Sequence, residues 1–166
     1  MGERVGKKEY IKRIIQNIKP IKMVVEDIPQ IAEIFVSYWG DMCLYDECTF
    51  ISIIEQNLSY VYKIQNKIIA FCLSEYCEDK DLIEIDLLCV RKGFQGFHLG
   101  NSLLSFCINY YNEFGFKNIS LHVSTTNYKA FRLYRKLGFE IRHFIARYYC
   151  DEKPEDSDAY YMTLNI

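Results

Sequence analysis

The residues from Leu82 to Tyr111 constrain the fold of this chain more than any other stretch. They begin Leu82-Ile83-Glu84-Ile85-Asp86-Leu87-Leu88-Cys89-Val90 and continue Arg91-Lys92-Gly93-Phe94-Gln95-Gly96-Phe97-His98-Leu99-Gly100-Asn101. Leu103, Leu104, Cys107, Ile108 and Tyr111 then follow at helical spacing. The opening run is apolar and of strand length. A strand therefore feeds a glycine-bearing turn, and the turn opens a helix. The first amides of a helix have no partner within it, and the aligned peptide dipoles make that end positive. Such a turn suits a phosphate or pyrophosphate. It is not a P-loop, since no Gly-Lys-Ser/Thr triplet follows, and its glycines miss the dinucleotide-binding fingerprint.

Around this unit the chain reads as one mixed α/β domain. Residues 1–22 set Arg4, Lys7, Lys8, Lys12, Arg13, Lys19 and Lys22 against Glu3 and Glu9, with Tyr10, Ile11, Ile14, Ile15 and Ile18 at helical spacing. Residues 1–18 are thus expected to form a basic amphipathic helix. It either lies over the domain with its lysines in water or docks on ribosomal RNA, a membrane surface or a partner. Pro20 ends it. A strand is predicted over Ile21–Ile28, and a helix beginning near Asp27 carries Ile28, Ile31, Ile34, Phe35 and Tyr38. Trp39–Asp46 reads as irregular and Glu47–Asn57 as a second helix. Tyr60–Gln65 and Lys67–Tyr76 form a hairpin turning at Asn66, a residue that tolerates left-handed geometry. Lys117–Val123 reads as a strand, Ala130–Leu137 as a helix and Ile141–Tyr149 as a strand. An acidic loop, Asp151–Asp158, leads to a last strand at Ala159–Leu164.

A formal net charge of −2 gives no pull toward nucleic acid, so direct DNA binding is not expected. Seven cysteines, with no CxxC pair and no His/Cys cluster at zinc spacing, point to free, mostly buried thiols and to no metal. That usage fits a reducing, cytoplasmic setting. No run reaches transmembrane length and no signal peptide is visible. Gly6 stands where a myristoylation signal wants Ser or Thr.

Two motifs carry a resemblance. Gln95-x-x-His98-x-Gly100 is similar to the Gln/Arg-x-x-Gly-x-Gly/Ala acyl-CoA loop of the GNAT acetyltransferases, with His98 where that family usually has glycine. Downstream, Asn127-x-x-Ala130-x-x-x-Tyr134-x-x-x-Gly138-Phe139 matches every spaced position of the family's second signature. The chain is accordingly identified as a member of that superfamily. The resemblance implies a single GNAT-like α/β (α+β) domain over residues 19–166, with a mixed, mostly antiparallel sheet flanked by helices on both faces. It implies acetyl-CoA as co-substrate, its pyrophosphate gripped by the amides of Gln95, Gly96, Phe97, His98, Leu99 and Gly100 with Asn101. It further implies that Leu88, Cys89 and Val90 pair with the pantetheine arm and that Asn127 contacts it. Tyr134 matches the tyrosine beside the CoA sulfur, a general acid for the departing thiolate.

For the base, two residues stand out. His122 lies between apolar Leu121 and Val123, and a free imidazole titrates near 6.5, which suits proton uptake at neutral pH. Glu84 interrupts an apolar strand, where burial raises a carboxyl's pKa. A lone strand histidine is also commonly structural, and Glu84 and Asp86 equally suit an exposed strand face. The expectation is His122 as base with Glu84 acting through a water. Leu121-His122-Val123 with Thr125-Thr126-Asn127, followed by Arg147-Tyr148-Tyr149, resembles protein Nα-acetyltransferases of the NatE and NatF type over about Leu82–Ile166. In those enzymes a tyrosine stands where this chain has Glu84, and their Phe-Pro element is replaced here by Gly40-Asp41-Met42-Cys43. This narrower likeness implies protein N-termini as acceptor, Tyr148 and Tyr149 as peptide-binding residues, and a ribosome or auxiliary subunit as partner. The Asp151–Asp158 loop is expected to favour a lysine near the start of the peptide. Acetylation of a polyamine or a lysine side chain, or silent acyl-CoA binding, are the rival readings.

Overall fold

The computed structural model describes residues 2–40, 46–149 and 157–166. It opens with α1 (Gly2–Ile15), whose trailing residues Ile15 and Ile18 pack against the domain's main core. Then come β1 (Ile21–Lys22), α2 (Ile28–Trp39), α3 (Glu47–Glu55), β2 (Tyr60–Ile64) and β3 (Lys67–Cys77). After β4 (Leu82–Val90) follow α4 (Leu99–Glu113), β5 (Asn118–Ser124), α5 (Tyr128–Lys136), β6 (Glu140–Ile145) and β7 (Ala159–Asn165). The strands form one seven-stranded sheet in the order β1-β2-β3-β4-β5-β7-β6. Only β4 and β5 run parallel, because α4 crosses over between them; every other neighbour is antiparallel.

Two buried clusters hold the sheet between its helices. Leu99, Leu103, Leu104, Cys107 and Tyr111 of α4 and Tyr134 of α5 meet Ile83, Ile85, Ile119, Leu121, Val123 and Met162 on one face. Ile31 and Ile34 of α2 and Phe50, Ile53 and Ile54 of α3 meet Ile68, Phe71, Leu73 and Cys89 on the other. Each side chain of this size, once fully buried, contributes roughly 1.5–3 kcal/mol. The expected mixed sheet with helices on both faces is the architecture found.

Three local expectations need correction. The strand expected over Ile21–Ile28 stops at Lys22, and Val25–Asp27 is a 3₁₀ turn leading into α2. Asp27 causes this: its buried carboxylate accepts the Val24 amide at 3.2 Å and pairs with Lys63 on β2, so the chain curls back. In the hairpin the left-handed residue is Gln65 (φ 55°), not Asn66. Gln30 of α2 holds that turn, donating to Asn66 O (2.9 Å) and accepting from Ile68 N (3.0 Å). The strand expected through Tyr149 ends at Ile145. Arg147 turns left-handed (φ 57°), and its amide donates to the Asp158 carboxylate at 2.9 Å.

Candidate active site

The site begins with an extra residue in β4. Across the β3–β4 ladder Leu73 pairs with Leu87 and Ser74 with Ile85, which leaves Asp86 as a bulge. A bulge bends its strand and shifts the alternation of faces by one. Before it, Ile83 and Ile85 join the α4/α5 core; after it, Leu88 and Val90 do, while Leu87 and Cys89 turn to the other. The bend also parts β4 from β5. The two strands pair only at Ile83–Ile85 with Ile119–Leu121, after which β4 continues on β3 alone and β5 on β7 alone. The sheet therefore forks, and Leu88, Cys89 and Val90, paired with β3 on one side, present on the side facing β5 a main-chain edge with no strand partner.

Glu84 and His122 stand at the vertex of the fork. Glu84 is in register with Ser120, two residues before His122, so both side chains fall on the sheet face away from α4. His122 Nδ1 lies 3.1 Å from Glu84 Oε1, with each side chain about one-sixth exposed. The other carboxylate oxygen lies 3.9 Å from Lys80 Nζ and accepts from the Cys77 thiol at 3.8 Å. The bond to His122 holds the Glu84 carboxyl below the ordinary carboxylate value, outweighing its partial burial. The expected rise is therefore reversed, and Glu84 is a committed carboxylate in direct contact with His122. Burial, with the charges of Glu84 and Glu75, pushes the Cys77 thiol up to about 11.

Tyr148 covers His122, the rings stacked 4.2 Å apart and 12° from parallel. Tyr161 supports the imidazole from β7 at 5.0 Å. Tyr149 is perpendicular to Tyr148. The two adjacent tyrosines thus act on different residues, Tyr148 stacking on His122 and Tyr149 within electrostatic reach of Tyr134. Tyr134 itself is buried in the α4/α5 core, and burial first, then Cys72, Cys89 and Tyr149, raises its pKa well above the usual phenol value. Its proton is firmly held until a strong base forms beside it.

The turn between β4 and α4 has the shape its glycines foretell. Gly93 (φ 93°) and Gly96 (φ 81°) are left-handed, and so is His98 (φ 60°), the residue before α4. Among the described residues, none of the amides from Gln95 to Asn101 donates to a partner in the chain; the helix ladder starts with Ser102 N to His98 O. Gly100 seats the first turn of α4 on the strand, a Cβ there falling 3.6 Å from Val90 Cγ2 and 3.8 Å from Leu133 Cδ2. A run of unpaired amides at a helix N-terminus fits a pyrophosphate. Asn127 caps α5, its Oδ1 accepting Ala130 N at 3.2 Å.

Of the residues singled out in the sequence, His122, Glu84 and Tyr148 come into contact, while Tyr134 approaches from the opposite face. The acidic loop lies outside the described residues except for Ser157 and Asp158, as does the Asp41–Cys43 segment. Sequence reading missed Cys77, Lys80 and Tyr161; strand register brings Cys77 and Tyr161 to Glu84 and His122, and Lys80 arrives from the 3₁₀ turn four residues before Glu84. The arrangement can take a proton on one face of the fork and deliver one on the other.

The model of the acetyltransferase (GNAT) family matches residues 28–139, about two thirds of the chain. Among solved structures, Arabidopsis thaliana Naa50 in complex with the bisubstrate analogue CoA-Ac-MVNAL is similar at TM-score 0.75 and 21% identity, over 90% of this chain and 99% of that one. The ribosomal-protein-S18-alanine N-acetyltransferase from Escherichia coli gives 0.75 and 24%, over 90% and 94%. An IAA acetyltransferase from Bacillus cereus gives 0.72 and 17%, over 90% and 100%. At these identities the likeness is one of fold.

Proposed function

Because this chain belongs to the acetyltransferase (GNAT) family, we propose that it transfers the acetyl group of acetyl-CoA to the α-amine of protein or peptide N-termini, by direct attack in a ternary complex. The observation that carries this reading is the Glu84–His122 contact at the mouth of the fork, covered by Tyr148. Acetyl-CoA supplies an acyl group activated as a thioester. The amides of Gln95 to Asn101 would hold its pyrophosphate, and the free edge of Leu88–Val90 its pantetheine arm, with Asn127 nearby.

With Nδ1 engaged by Glu84, His122 keeps Nε2 to accept the proton of the incoming ammonium. Glu84 is a positioning residue in this scheme: it fixes the ring and faces the positive charge as it forms. Tyr134 donates its proton to the departing thiolate. An α-amine titrates near 7.7–8.0 against about 10.4 for lysine, so it loses its proton at about 3.5 kcal/mol less cost. A single imidazole is adequate for that task. Tyr148 and Tyr149, on the segment joining β6 to β7, would flank the first residues of the peptide.

A second reading rests on charge. Glu75 pairs across the ladder with Glu84, and Asp86 follows in β4, so the acceptor side is acidic and suits a polyamine or lysine amine. Acetyl-CoA turnover on a panel of N-terminal peptides, spermidine and lysine separates the two. Peptide turnover that His122→Ala and Tyr134→Phe abolish, with CoA still bound, supports the first; turnover of spermidine alone selects the second.

A further inference from the structure

Three residues on one side of α2 reach across to the entrance of the donor turn. Glu33 takes the Arg91 guanidinium in a two-point contact, Nη1 at 2.6 Å and Nη2 at 3.3 Å. Ser37 O accepts from the Lys92 ammonium, which lies 4.9 Å over the Tyr38 ring. Tyr38 Oη donates to Val90 O at 2.6 Å and accepts from Gln95 Nε2 at 2.7 Å. Positions 33 and 37 are one helical turn apart and 38 adjoins them, which is why one helix side meets four residues of one turn.

Val90 is the last residue of the β4 edge that β5 leaves open, and Gln95 is the first of the run of free amides. Between them the turn has little of its own to fix its shape. Its one internal backbone bond is Phe94 N to Arg91 O, and Gly93 within it and Gly96 just after it are conformationally permissive. The Tyr38 hydroxyl joins the two ends of that turn through a single oxygen. Burial raises its pKa, so it remains a donor throughout the neutral range.

We propose that Tyr38 is a positioning residue for the donor site, holding the Val90 carbonyl and the Gln95 side chain so that the amides of the turn converge on the acyl-CoA pyrophosphate. It touches neither reacting atom. Its effect falls on donor affinity, whichever amine is the acceptor, so it does not depend on the N-terminal reading above.

The test is calorimetric titration of the full chain with CoA, alongside steady-state kinetics with acetyl-CoA varied and then the acceptor varied. Tyr38→Phe keeps the ring beneath Lys92 and removes only the hydroxyl. The expected result is a Kd for CoA, and a KM for acetyl-CoA, raised roughly five- to tenfold, the effect of one or two ordinary hydrogen bonds. The kcat and the acceptor KM stay within about twofold. Gln95→Met should give part of the same rise, and Tyr38→Phe with Gln95→Met no more than Tyr38→Phe alone, since both cut one connection. A change confined to acceptor KM or to kcat, an unchanged CoA Kd, or full additivity of the two substitutions overturns the proposal. If Tyr38→Phe does not fold, Gln95→Met decides alone: an unchanged CoA Kd overturns it.

Discussion

Two buried tyrosines on the same side of the sheet stand in different surroundings. Tyr111, on α4, sits in the closed seam with β3, fully buried, its hydroxyl donating to Leu58 O at 2.8 Å and lying 2.9 Å from Ser74 Oγ. Ser74 N in turn donates to Ser59 Oγ, and Ser59 Oγ reaches Ser74 O, so this seam closes on itself. Tyr134, on α5 by the fork, is 7% exposed, and the groups that act on its hydroxyl besides burial are Cys72, Cys89 and Tyr149. In the mechanism proposed above, that hydroxyl gives its proton to the departing thiolate. The seam uses its polar groups to hold the fold; in the proposed mechanism the fork keeps its own for a molecule that is not part of the chain.

The largest effect that could break this comparison is kinetic. Tyr134→Phe and His122→Ala should each lower kcat by about 10²–10⁴, the usual contribution of a general acid or base. Because Tyr134→Phe keeps the ring in the α4/α5 core, it should leave thermal unfolding within about 0.5 kcal/mol of wild type. Tyr111→Phe should do the reverse. It strands Leu58 O in the core, costing about 2 kcal/mol and some 5 °C in Tm, with kcat unchanged in acetyl-CoA turnover. Loss of activity in both variants, or of stability in both, would show that the two environments are not functionally distinct.

How much of this difference the sequence carries depends on range. The strand–turn–helix unit was legible because its signals are local: an apolar run, glycines at 93 and 96, and helical spacing after Leu99. The fork was not. Whether Asp86 lies in the ladder or bulges from it depends on the register of β3, which no pattern in β4 reveals. Glu84 was expected to have its pKa raised for the same reason. Its burial can be guessed from apolar neighbours, but the His122 bond that reverses the shift comes from 38 positions away. Tyr38 looked like one more apolar-face residue of a helix, and only the packing of α2 against the turn shows its hydroxyl in use.

A smaller effect sharpens the comparison on the donor side. His98 occupies left-handed backbone (φ 60°, ψ 15°) at the head of α4, a conformation that costs a side-chain-bearing residue roughly 1–2 kcal/mol. His98→Gly should relieve that strain, part of the gain being returned as entropy of the unfolded chain. Denaturant unfolding should show a net gain of about 0.5–1 kcal/mol at unchanged m-value. An equal or larger loss would mean that the imidazole holds the turn and that backbone geometry is not what sets its stability.

The smallest effect concerns charge at the vertex. The folded-state pKa of Glu84 is lowered, chiefly by its bond to His122. In acid the unfolded chain therefore takes up this proton before the folded one does, so the group's contribution is fully present above the ordinary carboxylate value. It is lost as pH falls from there through the lowered folded value. Glu75 acts with the opposite sign in a different window: burial and the Glu84 charge raise its pKa, so it weakens the fold as pH rises past the ordinary value. Glu84→Gln should then flatten both limbs of stability against pH, the acid limb by under about 1 kcal/mol because the pair is partly solvated. Tyr111→Phe, whose hydroxyl carries no charge in this range, should shift the whole curve downward without changing its shape. If chemical unfolding from pH 3 to pH 7 gave Glu84→Gln the same slopes as wild type, the Glu84–His122 contact would count as a neutral hydrogen bond, and the fork would lose the fixed charge that sets it apart from the seam.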